Sequence, residues 1–426
     1  MLKYDFIIVG AGIGGLYLGN YLEQQKKSYL IVETQSGIGG RVQTCFVDGF
    51  SFELGAARIL SNHHKALSLI ESLGLETEEQ HLSETPVYWE NKWYDSPDEI
   101  VDFSQFLNPI SLFEEMLAEY SIVDLQSFES LAPKEWDKIL TRSWLEEKGV
   151  PFNIAKLFFL GDIDVNLEQI TLYESLFFYL SNLIDKEGKI YRLKGGMYQI
   201  IEKLKSNLNI LTDQKVVAVH QNSSGFTLDT TDFSLVSKYV IFTCSLSAIS
   251  RIELPERAQK SLSDWLTVGH YGSSVKGYFR LKNDPFPQQD YLMSDIPLRM
   301  IRRSPDLWEF YLPSLRFDWD KLKIEQLLAT YFGAANVEEF SIQNYSDSPF
   351  LGCYWNYTSG NFHRIFDAAQ TYCLSDGIFS LGEHFSLNPN WIEGTLESVD
   401  NFLHNSGFLE ISPNLCKSAF ALKSVF

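Results

Sequence analysis

Hydrophobic positions fall into two kinds of run along this chain. Residues 4–9 (YDFIIV) are almost continuously apolar, as expected of a strand buried on both faces of a parallel sheet. A glycine-rich turn follows, then helical spacing to about Gln25, then a second apolar run at 28–33 (SYLIVE), which is the order and length of a βαβ opening. Between about 104 and 185 the period lengthens. Trp136, Leu140 and Trp144 recur at helical spacing, with Pro133 at the start and Gly149 as the stop, so one helix is predicted over 133–148 and a second over 171–184. From 210 to 244 the pattern shortens again into strands at 216–219, 225–231 and 238–244, with further candidates at 275–281 and 308–312. A last apolar strand, 377–381, leads through a glycine-containing turn into a helix to about Leu403.

The fold class this predicts is α/β with a mixed α+β second part. A Rossmann-like dinucleotide domain takes residues 1–70, 193–252 and 374–426, interleaved with a β-sheet domain of 71–192 and 253–373 that contains the helical block, about 104–185. A chain of 426 residues suits two domains. A hydrophobic share of 45% against 21% charged places it among globular proteins. The formal net charge of -20 repels phosphate, so nucleic acid and an anionic membrane surface are not expected as partners. Five scattered cysteines without a CxxC pair fit a reducing compartment, and no spacing suits a metal. The apolar stretch from Phe6 to Leu18 is broken by glycines and lacks a cleavage site, and no stretch is long enough to span a bilayer, which predicts a cytoplasmic protein.

Gly10-Ala-Gly12-Ile-Gly14-Gly15 sits between the first strand and first helix. Gly10 makes the tight turn, Gly12 lets the backbone approach a pyrophosphate, and the third glycine allows close helix–strand packing. The helix N-terminus offers unpaired N–H groups to phosphate. Glu33 closes the second strand, where a carboxylate accepts from an adenosine ribose and repels a 2'-phosphate. Gly39-Gly40-Arg41 then supplies a guanidinium that can neutralise a pyrophosphate. Further along stand Phe52-Glu53-Leu54-Gly55-Ala56-Ala57-Arg58, and near the C-terminus Gly382-Glu383-His384 and Trp391-Ile392-Glu393-Gly394-Thr395.

This set, in this order, resembles the flavin amine-oxidase superfamily of monoamine, polyamine and L-amino-acid oxidases. The resemblance runs from about residue 4 to about 403. It implies FAD, a two-domain fold and an active site between the flavin and the second domain. It also implies that Gly55, Ala56, Ala57 and Arg58 lie against the flavin, and that Gly382 and Glu383 meet the pyrophosphate and ribityl chain. Val217 would contact the adenine side, and Ile392 and Thr395 would begin the helix beneath the isoalloxazine. Lys194-Gly195-Gly196 looks like the re-entry into the FAD domain, and reads equally well as a plain strand–helix turn. In the monoamine oxidases a Cys in Gly-Cys-Tyr is bonded to the flavin, so Cys353 carries the option of a covalent link beside its ordinary reading as a small buried hydrophobe. Phe385 stands where the family often has Thr.

Three positions bear on the substrate. Arg58 falls where L-amino-acid oxidases hold the substrate carboxylate, and a guanidinium fork matches a carboxylate with two parallel charge-assisted bonds. Alternatively it is an ordinary Arg–Glu pair. Tyr311, in Trp308-Glu-Phe-Tyr311, closes a stretch from Ile296 similar to the bacterial L-tryptophan oxidases of violacein synthesis, where a Tyr helps hold that carboxylate. Its other reading is a core strand aromatic. Lys276 falls where the family places a Lys linked through water to flavin N5, and otherwise reads as an edge-strand cation. Trp391 and Tyr354 would form the aromatic walls beside the flavin, with a core role as the alternative. The reaction implied is oxidation of the Cα-amine of an L-amino acid with a large or aromatic side chain, with O2 reduced to H2O2. A monoamine or polyamine oxidase and an FAD-dependent desaturase remain alternatives, and a homodimer is left open. The histidines show no constellation, and His63-His64 read as the solvated start of a helix.

Overall fold

The computed structural model describes residues 3–80, 85–159, 169–181, 189–296, 298–314, 319–345 and 352–405, and the structural statements below concern these. Pro297, Cys416 with the remaining C-terminal stretch, and the end of the helix expected over 171–184 lie outside them.

The first sheet is built around Lys3–Val9, flanked in parallel by Tyr29–Val32 on one side and Ser234–Phe242 on the other. Ile210–Leu211 extends the Tyr29–Val32 edge in parallel. Beyond Ser234–Phe242 the chain adds the antiparallel strands Gly225–Thr230 and Val216–Asn222, while Ile378–Ser380 pairs in parallel with its C-terminal half. Ile7 and Ile8 point to opposite faces and neither is exposed, which is why residues 4–9 read as a continuous apolar run. One face is covered by the helices Ile13–Gln24, Tyr198–Leu204 and Ile392–Asn405, through Leu16, Ile200 and Val399.

The second sheet runs in the order Val337–Asn344, Gly269–Leu281, Leu307–Ser314, Arg299–Arg302, Tyr291–Ser294, Val87–Trp89, Lys92–Tyr94. Its strand period of two separates two faces. Val275, Phe279, Trp308, Phe310, Leu312 and Met300 face the helix Lys321–Phe332 and form a core with Ile324 and Leu328. The alternating positions Lys276, Glu309, Tyr311 and Arg299 face the other way. Strands of the first sheet come from residues 3–32, 210–242 and 373–380, and those of the second from 87–94, 269–344 and 354–357, so the chain crosses between the sheets repeatedly.

The helical block departs from the predicted 133–148 helix. Lys134–Lys138 is a 3-10 turn, Ile139 and Leu140 are extended, and a helix begins only at Thr141–Glu147. The break is bought with backbone bonds: Thr141 N–H donates to Ile170 O at 3.0 Å and Leu172 N–H to Ile139 O at 2.8 Å. Trp136 and Trp144 are both buried, so helical spacing correctly marked the inward residues without marking the backbone. Gly149, at φ +86°, does end that helix. Thr171 caps Leu172–Leu180. His63 is also unlike the solvated residue expected: it precedes the helix His64–Ser72 but is 1% exposed, and only His64 faces solvent. No described helix is long and apolar enough to cross a membrane.

Trp308 is fully buried and donates its indole N–H to Asp284 at 2.9 Å. Trp308→Ala should cost about 3–5 kcal/mol of stability. The check is a fall in urea midpoint with unchanged m-value; an unmoved midpoint would remove Trp308 from the framework of this sheet.

Candidate active site

A cavity of about 470 Å³ opens between the carboxyl ends of the parallel strands and the polar face of the second sheet. Gly10, Glu33 and Thr243, each just beyond a strand of the first sheet, line one side of it, the place where open α/β sheets bind ligands. Gly10 has φ +114°, a conformation that L side chains rarely adopt. A Cβ on Gly14 would lie 2.9 Å from Thr395 Cγ2, and one on Gly15 2.0 Å from Gly10 O. Gly15 is therefore a packing residue beneath the cavity, whereas Gly12, Gly14 and Gly40 are on its wall. The helix Ile13–Gln24 has no side-chain cap, so its first N–H groups face the cavity. Glu33 is buried, with Oε2 accepting from Ala11 N–H at 2.8 Å and Oε1 from Gln35 N–H at 3.0 Å.

Arg41 ties both ends of the chain to this cradle. Its Nη1 pairs with Glu383 Oε1 at 2.9 Å and also donates to Cys353 O. Glu383 is almost inaccessible, and its other oxygen accepts from Asn390 N–H at 3.1 Å and Trp355 N–H at 3.4 Å. The guanidinium lies beside the Tyr271 ring, 5.8 Å from its centroid. Gly55, Ala56, Ala57, Gly382, Trp391, Ile392 and Thr395 complete the wall, the last two in the first turn of Ile392–Asn405. Val217 is placed differently. Its side chain is 38% exposed, and the wall here is made by Gln214, Lys215 and Val216. The cause is an irregularity in register between Val216 and Ala218 that sets Val217 outward while its carbonyl accepts from Glu253 N–H at 3.0 Å.

Across the cavity, strand register builds a row of polar side chains. Lys276 lies opposite Tyr311, and Tyr311 opposite Arg299, on three adjacent strands. Directly opposed residues share a face, so all three meet the cavity together. Lys276 is 8% exposed, donates to Gly55 O, and has its Nζ 4.9 Å from the Tyr311 ring centroid. Arg58 reaches the same ring from the Gly55–Arg58 segment, with its guanidinium carbon 6.0 Å from the centroid. Burial holds Lys276 below the ordinary lysine value, Glu309 opposing the shift and Arg58 adding to it. Glu309, 2% exposed, is held by Arg303 at 2.7 Å beneath the row.

Tyr354 and Trp391 both line the cavity, Tyr354 at 8% exposure. Behind Trp391 stands His63, edge-on at 4.7 Å between centroids, its Nδ1 accepting from Leu60 N–H at 3.2 Å. Cys353 is on the wall with its thiol 2.9 Å from Ser274 Oγ, and burial pushes that thiol up from its ordinary value. His384 is enclosed between Tyr271 OH at 2.9 Å and Ser380 Oγ at 3.3 Å.

Arg299 and Glu174 are among the wall residues that escaped sequence reasoning. Arg299 is 5% exposed and shares the row, but only strand pairing with Tyr311 shows this. Glu174 lines the cavity from the helix Leu172–Leu180, with Gln169, Ile170 and Phe178 beside it. Its one sequence signal was Thr171-Leu-Tyr-Glu174, which reads as a helix cap.

The cradle fits a dinucleotide. Its glycine turn, uncapped helix end and Arg41 offer donors suited to a pyrophosphate, and the Glu33 carboxylate offers an acceptor suited to a ribose hydroxyl. The family model for flavin containing amine oxidoreductases matches residues 13–398, and the chain belongs to that family. Its cofactor is therefore FAD. Among curated relatives it is 22% identical to a pseudooxynicotine dehydrogenase from Pseudomonas sp over 66% of this chain and 60% of that one. It is likewise 22% identical to an L-amino-acid oxidase from Mus musculus, over 97% of this chain and 73% of the relative. The match to the pseudooxynicotine dehydrogenase thus spans about three fifths of that protein, and that to a putrescine oxidase from Kocuria rosea 46%. A solved putrescine oxidase variant superposes with a TM-score of 0.77 at 17% identity, over 95% of this chain and 99% of that one, a likeness of fold. Among the described residues no group of three His, Cys, Asp or Glu side chains is placed to hold a metal.

Two predictions follow from this geometry. Arg41→Met leaves the Glu383 carboxylate buried without its partner, which should cost about 3–5 kcal/mol. The variant should lose FAD on dialysis, read from the flavin-to-protein absorbance ratio; full retention would show that Arg41 does not hold the cradle. The second concerns pH. His63 and His384 are both lowered to about 3, chiefly by burial, with His64 adding in the first case and Arg41 in the second. In the unfolded chain the ordinary value is near 6.5, so that state takes up protons first as pH falls. The stability of the neutral rings is complete above that value and is lost progressively toward pH 3, each histidine steepening the slope by about 1.4 kcal/mol per pH unit. Urea midpoints across this window should show a shallower slope in His63→Asn; an unchanged slope would contradict the assignment for His63.

Proposed function

We propose that the chain is an FAD-dependent L-amino-acid oxidase, oxidising the Cα-amine of an amino acid with a large side chain to the imino acid while O2 is reduced to H2O2. The observation that carries this is the convergence of Arg58, Lys276, Arg299 and Tyr311 on one cavity wall. Bound FAD supplies the two-electron acceptor for the amine-bearing carbon. The protein's part is placement and polarity. Arg58, with Arg299 lining the same cavity, takes the carboxylate in charge-assisted bonds, and Tyr311 adds a hydroxyl. Tyr354 and Trp391 confine the neutral amine and exclude water. Lys276, buried and held at Gly55 O, is a donor for negative charge developing at the reacting centre. The imino acid then takes up water and releases ammonia, giving the 2-oxo acid. A monoamine has no carboxylate for this wall, so the cation cluster favours the amino acid over the amine.

Anaerobic bleaching of the flavin by L-amino acids, set beside their decarboxylated amines, tests this. Bleaching by the amino acids alone is expected; bleaching by the amines alone overturns it. Arg58→Ala should raise KM for amino acids about tenfold to a hundredfold, the loss of one or two hydrogen bonds to a charged group. An unchanged KM removes Arg58 from substrate binding.

A further inference from the structure

Besides the cation row, the cavity is lined by a carboxyl group from the helical block. Glu174 occupies the first turn of Leu172–Leu180 and lines the cavity among Ile170, Phe178 and Tyr357. Thr171-Leu-Tyr-Glu174 has the sequence of a capping box, in which the glutamate reaches back to the N-cap amide. Thr171 Oγ1 accepts from Glu174 N–H at 3.2 Å, and a backbone hydrogen bond from Thr171 acts in return on the carboxyl, opposing the effect of burial. Among the described residues no side chain pairs with the Glu174 carboxyl. The neighbouring charge that raises it is that of Asp137. Asp137 is itself engaged, accepting from His363 N–H and from His363 Nδ1, each at 2.9 Å, and from Thr171 Oγ1 at 3.1 Å. Burial, with Asp137 adding, pushes Glu174 up to about 8. Apart from the Thr171 backbone, no donor reaches this carboxyl among the described residues, and it lines the cavity together with Ile170 and Phe178.

We propose that Glu174 reads the far end of the substrate and selects side chains that end in a nitrogen donor. The assignment rests on the amino-acid-oxidase reading for how the near end is held. The donor is either cationic, as in lysine, ornithine or arginine, or a neutral N–H, as in the indole of tryptophan. Norleucine and phenylalanine fill comparable space and donate nothing there.

The test compares kcat/KM for lysine and tryptophan with that for norleucine and phenylalanine, in the wild-type holoenzyme, Glu174→Gln and Glu174→Leu, with FAD content checked in each. The wild-type protein should favour at least one donor-bearing substrate by about tenfold or more. Glu174→Leu should abolish that preference while leaving the apolar substrates within about twofold. A lysine preference lost in both variants identifies a cationic donor. A tryptophan preference lost only in Glu174→Leu identifies a neutral one, because the amide still accepts. Should Glu174→Leu fail to hold FAD, Glu174→Ala takes its place. No donor preference in the wild type, or one that survives loss of the carboxyl, overturns the assignment. If only amines bleach the flavin, the oxidase reading fails separately. The ratio for 1,4-diaminobutane against butylamine then decides the role of Glu174.

Discussion

The pairing of Arg41 with Glu383 is the contact on which the site depends. It joins residues 342 apart in sequence, and it does so where charge is costly to bury. Glu383 uses its remaining capacity on the amides of Trp355 and Asn390, and Arg41 reaches the carbonyl of Cys353. One ion pair thus sets the glycine cradle, the start of Tyr354–Tyr357 and the loop carrying Trp391 against each other. A cavity assembled from three remote stretches of chain is held in register by such a fixed point.

The opposite wall obeys a different rule. A strand shows alternate residues to opposite faces, so the apolar positions that pack on Lys321–Phe332 automatically direct Lys276, Tyr311 and Arg299 to the cavity. A slip of one residue would exchange the two sets and bury the cations in the core. Packing of Trp308, Phe310 and Leu312 therefore fixes the chemistry of the site, although none of them touches it. Burial keeps Lys276 below its ordinary value, and Glu309 beneath the row moderates the accumulation of positive charge.

The cradle was legible because its requirements are local. Gly10 must take a positive φ, Gly15 must lie against Gly10 O, and Glu33 must end a strand, and each leaves a mark within about thirty residues of one sequence stretch. Lys276 and Tyr311 were legible through family resemblance rather than through any physical sign of their own. Arg299 was not, because a cation in a strand looks alike whether it meets solvent or a cavity until its partner strand is known. Val217 shows the converse: its strand was read correctly, but an irregularity in pairing turned the neighbouring Val216 inward instead. The helix expected over 133–148 failed for a related reason, since the bridge from Leu140 to Thr171 connects segments whose contact no periodicity announces.

By itself, then, the sequence determined the alternation of strands and helices, the dinucleotide turn and the inward residues of each element, all consequences of short-range sterics and of burying apolar side chains. Tertiary structure alone decided which polar residues meet. It brought Arg58 to the Tyr311 ring with Arg299 on the neighbouring strand, enclosed His63 behind Trp391, and set the helix-capping Glu174 on the cavity wall. The physical reason is that an apolar residue is committed to the interior by its own solvation. A polar residue is committed only by its partners, and those are chosen by the register and packing of elements far away in the chain.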